Sequence, residues 1–113
     1  MNDYLEILSN EFEAGPDSFL IKLRPDLVWD RIAFTRLTDA MRACCERQSG
    51  TDVERWIARG FWYLPRFVRE WTTHPNFSKT EPTKYYDDAY QLLEDLAFWF
   101  FFGQSPNERD NPL

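Results

Sequence analysis

Apolar residues recur at helical spacing along most of the chain, and polar breaks divide the pattern into four long stretches. In residues 2–13, Tyr4, Leu5, Leu8 and Phe12 share one face, which Ile7 widens. Asn2 or Asp3 stands where a helix cap belongs, and Gly15-Pro16 follow as a stop. Residues 19–23 could form a strand. A lone strand has no neighbour to take its backbone hydrogen bonds, so an extended or helical-turn connector is predicted there.

A second helix is predicted from Pro25-Asp26 to Arg47, because proline suits a first helical turn. Its apolar stripe is Trp29, Ala33, Leu37, Ala40 and Cys44, flanked by Phe34 and Met41, with Arg31, Thr35, Arg42 and Glu46 opposite. Ser49-Gly50 then break the chain. Thr51-Asp52-Val53-Glu54 reads as a capping box opening a third helix that runs to Thr72. Pro65 falls inside that helix, where it removes one donor and crowds the carbonyl of Phe61, so a kink is expected. After His74-Pro75 and a loop, the last helix is predicted over residues 83–102, with Gly103 as its left-handed cap. Tyr85, Tyr86, Tyr90, Leu92, Leu93, Leu96, Ala97 and Phe100 form its apolar face, and Asp87, Asp88, Gln91, Glu94 and Asp95 its polar one. The expected fold is therefore one all-α domain over residues 1–103, a small four-helix bundle with its third helix kinked near Pro65. Residues 104–113 read as a polar, frayed tail.

Two stretches break the simple inside–outside pattern. On the third helix, Arg55, Arg59, Arg66 and Arg69 fall within one narrow stripe that has Trp62 in its middle. Val53, Trp56, Ile57, Leu64, Phe67, Val68 and Trp71 fill the opposite side. Trp62 is thus expected off the core face, framed by guanidinium groups, and Trp and Arg are the residue types that anchor interfaces. The competing reading pairs those arginines with the chain's own acids and covers Trp62 with the N-terminal segment. On the last helix, Phe98, Trp99 and Phe102 continue the side that carried Asp87, Asp88 and Asp95, so that end is apolar all round. Either the connector at residues 19–23 covers it, or it meets a second copy or a partner.

Composition sharpens this picture. Among 113 residues there are 10 Phe, 5 Trp and 5 Tyr, more rings than a core of this size needs. Net charge is -6, the wrong sign for a nucleic-acid binder. The acids concentrate at both ends: residues 1–20 carry no base, whereas the middle of the chain is mildly basic. The strip formed by Asp87, Asp88, Glu94 and Asp95 suits docking on a basic partner. The same face, through Asp87, Asp88 and Asp95, is the one place where a metal-dependent activity could be built, and an amphipathic helix's wet side is the simpler account.

Other chemistry finds little support. His74 is the only histidine and sits before a proline, without a second histidine for a metal site or a nucleophile–base pair. There is no Gly-rich phosphate loop. Cys44 and Cys45 are the only cysteines; adjacent helical positions point apart, Cys44 lies on the core stripe, and buried inert thiols of a reducing compartment are expected. The opening residues have acids where a signal peptide has bases, and the longest apolar run, residues 96–102, is too short to span a bilayer. Together these features predict a cytoplasmic, non-enzymatic protein with no cofactor, metal, nucleic-acid or membrane partner. Its partner is expected to be a protein, in an immunity-type or inhibitory role directed against something such as a toxin. The alternative is a structural subunit or obligate homodimer joined through the aromatic end of the last helix.

Overall fold

The computed structural model describes residues 3–24, 27–47 and 52–105. Among these residues all regular structure is helical and there is no strand. The helices are α1 (Tyr4–Phe12), α2 (Phe19–Leu23), α3 (Arg31–Arg47), α4 (Arg55–Thr72) and α5 (Thr83–Phe102). The expected Asn2 cap, the Pro25-Asp26 start, the Ser49-Gly50 break, Thr51 of the capping box and the tail from residue 106 lie outside the described residues.

Helix α1 opens on Asp3, whose carboxylate accepts from the amides of Leu5 (2.7 Å) and Glu6 (3.1 Å). It closes just before Ala14, which takes the left-handed conformation (φ 54°) one residue ahead of the expected Gly15. The connector at residues 19–23 is a short helix, so the described chain has five helices where four were expected. Its first amides are satisfied locally: Ser18 Oγ accepts from Ile21 N (3.1 Å), and the carboxylate of Glu11 accepts from Phe19 N (2.8 Å).

Helix α3 begins later than the proline suggested. Asp30 is its cap: its carboxylate accepts from Ala33 N (3.1 Å) and its carbonyl from Phe34 N (2.9 Å). Trp29 therefore precedes the helix, yet it is buried, edge-on to Phe19 and Tyr86, with its indole N–H donated to the Tyr85 hydroxyl at 2.8 Å. The capping box is not formed as expected. Helix α4 starts three residues after Asp52, so Glu54 occupies the cap position itself and its carboxylate takes the indole N–H of Trp56 (2.7 Å). Helix α4 continues through Pro65 to Thr72. Helix α5 ends on Gly103 (φ 82°), whose amide bonds back to the Trp99 carbonyl at 2.8 Å, as the sequence indicated.

Helix α1 packs on α3, α3 on α5 and α5 on α4, while α2 contacts α1 and α3. The expected stripe of α3 is buried throughout. On α4 the facing is less complete than the pattern implied: Ile57, Leu64, Phe67 and Val68 are buried, Trp56 and Trp71 are only half-buried, and Val53 is exposed ahead of the helix. Gly60 and Phe61 are buried on this helix as well. The ring of Phe12 lies directly on Gly60, where a Cβ would stand 2.2 Å from Phe12 Cδ2, and Phe61 stacks on Phe100 at 4.3 Å. Every buried side-chain nitrogen or oxygen among the described residues has a hydrogen-bond partner, including the paired hydroxyls of Thr72 and Tyr90. No described helix is long and apolar enough to cross a membrane.

Cys44 and Cys45 are both buried on α3. Burial, with the neighbouring thiol of Cys44 behind it, pushes the Cys45 thiol up to about 12, and its S–H points at the Leu96 carbonyl (3.5 Å). Thiolate is the reactive form. The native protein is therefore expected to resist Ellman's reagent and to release both thiols only on unfolding in denaturant; fast labelling of the folded chain would contradict the burial of this pair.

Candidate functional site

The most coherent concave surface lies between α4 and α5, near the C-terminal end of α5. Its cavity of about 450 Å³ is walled on the α4 side by Phe61, Trp62, Pro65, Arg66 and Arg69. Glu94, Ala97, Phe98, Phe101 and Phe102 form the α5 side. The two helices are in contact, and Pro65 of α4 and Ala97 of α5 line the gap together with the rings.

Trp62 is 54% exposed. The guanidinium of Arg66 lies over its ring at 4.1 Å and also donates to its carbonyl at 2.8 Å, so the two form one amphipathic plate. Across the gap Phe98 and Phe102 stack at 4.2 Å between ring centres, with Phe102 70% exposed. Arg69 closes the polar side: it pairs with Glu94 at 3.2 Å and lies over Tyr90 at 4.5 Å.

No protein-family model, curated protein or solved structure matches the chain. What the groove does has to be read from its own chemistry.

The structure brings together six of the residues singled out from sequence: Trp62, Arg66, Arg69, Glu94, Phe98 and Phe102. Arg55 and Arg59 are exposed on the same stripe of α4, outside the lining. Trp99 is half-buried against the core rather than presented to the groove. The acidic strip is dispersed: Asp88 pairs with Lys84 (2.8 Å), Asp95 accepts from Gln91 (2.9 Å), and Asp87 is exposed near the start of α5. Among the described residues no three His, Cys, Asp or Glu side chains stand together as a metal-binding set. The connector leaves Phe101 and Phe102 exposed at the end of α5 and packs chiefly against α1 and α3.

Phe61, Pro65, Ala97 and Phe101 complete the lining, and the sequence pattern does not assign them to a contact surface. For Phe101 the signal existed: residues 98–102 are five consecutive aromatics, and successive positions 100° apart cannot all face one core. A larger groove of about 910 Å³, between α1 and α3, has no sequence signature beyond the exposed Ile32. Its guanidiniums are held within the chain: Arg31 pairs with Glu81, Arg36 with Glu11, and Arg47 lies over Tyr4. Only the α4/α5 groove is lined both by the arginine stripe, through Trp62, Arg66 and Arg69, and by the aromatic end of α5.

Proposed function

We propose that this chain is a protein-binding domain that holds its partner in the α4/α5 groove, in an immunity-type or otherwise inhibitory role. The observation that carries the reading is the convergence of two surface features on one concavity. The arginine-backed Trp62 and the stacked Phe98–Phe102 pair come from different helices and face the same 450 Å³ space. Large aromatic rings and arginine in a pocket are what concentrates binding energy at interfaces. The lining holds rings, two guanidiniums and one carboxylate, a set suited to recognition rather than to acid–base or nucleophilic catalysis. Within this reading the four longer helices act as a bundle that presents the groove, α4 bends at Pro65 to seat Arg66 and Arg69 on its rim, and thiols kept buried on α3 suit the cytoplasm.

A second reading, a homodimer, is favoured by one observation: Phe101 and Phe102 stand exposed at the end of α5. Site-specific photo-crosslinking separates the two. A photoreactive residue at position 62 or 102, in producing cells, is expected to yield a discrete adduct with a second protein. The same probe at position 87, on the far part of α5, should yield none. An adduct of chain with chain would give the groove to a dimer. Equal labelling from all three positions would remove the groove as the site.

A further inference from the structure

We infer that the occupant of the α4/α5 groove is an acidic amphipathic helix of another protein, its apolar side chains seated among the rings and its carboxylates along α4. The inference rests on the protein-binding reading above and adds the chemistry of the partner.

Charge placement carries it. The chain is acidic overall, at -6, yet the groove and its shoulder are basic. Arg55 and Arg59 are exposed, and among the described residues neither has an ion-pair partner. Among the described residues Arg66 is held by the ring and carbonyl of Trp62, both neutral, and no acid pairs with its positive charge. From Arg55 to Arg66 the helix rises by roughly 16 Å, at about 1.5 Å per residue. Carboxylates repeating every three or four residues on a second helix lying alongside match that spacing. Arg69 adds a fourth cation. Its pair with Glu94 joins two side chains that are more than half exposed, and such pairs contribute only about 0–1 kcal/mol. A partner's carboxylate can take Glu94's place at little cost.

Within α4 and its cap four arginines, Arg55, Arg59, Arg66 and Arg69, stand against two acids, Glu54 and Glu70, so the helix is net basic. Asp88 is paired with Lys84, and it stands roughly 15 Å from Phe98 along α5. The screening length at physiological ionic strength is about 8 Å. Glu94 is the only acid in the lining. The rings then supply the apolar half of the match, since helix-in-groove recognition places apolar anchors a turn apart in a preformed trough. A second copy fits less well: in a two-fold pair the groove meets itself, bringing two Arg66-bearing rims together. A nucleic acid would find along this groove only Arg55, Arg59 and Arg66 without an ion pair among the described residues, on a chain that is acidic overall, where such binding calls for a broad basic footprint.

The test uses the full chain and synthetic probes. Two fluorescent helical peptides of about four turns carry identical Leu and Phe anchors and differ only in flanking residues, Glu in one and Lys in the other; a fluorescent oligothymidine is the third probe. Anisotropy is expected to show the Glu peptide binding at least about tenfold tighter than the Lys peptide, and losing affinity as salt rises. Trp62→Ala is expected to weaken the Glu peptide at least about tenfold. The double variant Arg59→Glu/Arg66→Glu is expected to reverse the peptide preference, with circular dichroism confirming an unchanged fold. Equal binding of the two peptides, or binding of neither, overturns the inference. A Trp62-dependent preference for the Lys peptide overturns it while leaving the protein-binding reading in place. Tighter, Trp62-dependent binding of oligothymidine overturns both. A self-association lost in the double variant would assign the groove to a second copy.

Discussion

Replacing Phe61 with alanine is expected to cost about 3–5 kcal/mol of unfolding free energy, while Trp62→Ala, one residue along, is expected to cost about 1 kcal/mol or less. The two positions sit on one helix turn and differ in what surrounds the ring. Phe61 is fully buried, stacked on Phe100 and edge-on to Phe12 at 6.0 Å. Its removal would leave a cavity bounded by rings that cannot collapse onto one another without shifting α5. Trp62 stands more than half in solvent and is held chiefly by Arg66, a contact of the exposed cation–π kind worth roughly 0.5–1 kcal/mol. Denaturant titrations with matched m-values read the contrast directly. Trp56→Ala should fall between the two, because that ring is half-buried against Phe12 and holds Glu54 through its indole N–H. If Trp62→Ala lost as much stability as Phe61→Ala, the ring would be filling the α4/α5 gap, and the docking groove with its acidic occupant would have to be given up.

What could be read from sequence here followed from what is local. Helix α5 has the expected bounds because a proline precedes its first turn and its twenty residues end on a glycine free to take positive φ. The arginine stripe with Trp62 at its centre was legible because helical spacing alone fixes which side chains share a face. The sequence places the start of α3 too early because Pro25 competes as a start signal with Asp30; the left-handed Leu27 (φ 56°) and the inward turn of Trp29 settle the matter in favour of Asp30. Trp29 was rightly expected in the core, but a loop and not a helix puts it there. Gly60 looks like a weak position in mid-helix until the ring of Phe12, from a segment 48 residues earlier, is found lying on it. The groove itself could not be seen, because it depends on how α4 and α5 are set against each other. Neither helix alone says that Arg66 and Phe102 look into one space.

Glu11 shows the same limit, and it leads to a pH dependence opposite to that of ordinary acid unfolding. In the sequence it is one acid of an acidic run, yet it is only 1% exposed. One carboxylate oxygen accepts from Phe19 N at 2.8 Å and the other from Arg36 Nε at 3.3 Å. Burial pushes its carboxyl above the usual range, and the Phe19 amide and the Arg36 guanidinium offset that only in part. Because the folded value lies above the unfolded one, the native state holds this proton more tightly. Glu11's contribution to stability is therefore most favourable in acid and declines as pH rises through the raised value. Asp30 runs the other way: Lys22 and the Ala33 amide lower its carboxyl, so its contribution is kept above the ordinary Asp range and lost only as pH falls below it. Arg36→Leu removes the single counter-charge from a buried carboxylate. A fully buried pair broken this way costs roughly 3–5 kcal/mol; Arg36 is 40% exposed, which argues for about 2 kcal/mol near pH 8. Near pH 5 the loss should be smaller, since Glu11 can then take up a proton instead of bearing an unpaired charge. The bond from Arg36 to the Asp17 carbonyl (2.6 Å) is lost equally at both pH values, so the difference between them isolates Glu11. Adding Glu11→Gln to Arg36→Leu should abolish that difference. Equal destabilisation by Arg36→Leu at both pH values would mean that the carboxylate is solvated in the folded protein, and that the Phe19 amide rather than Arg36 accounts for its place in the fold.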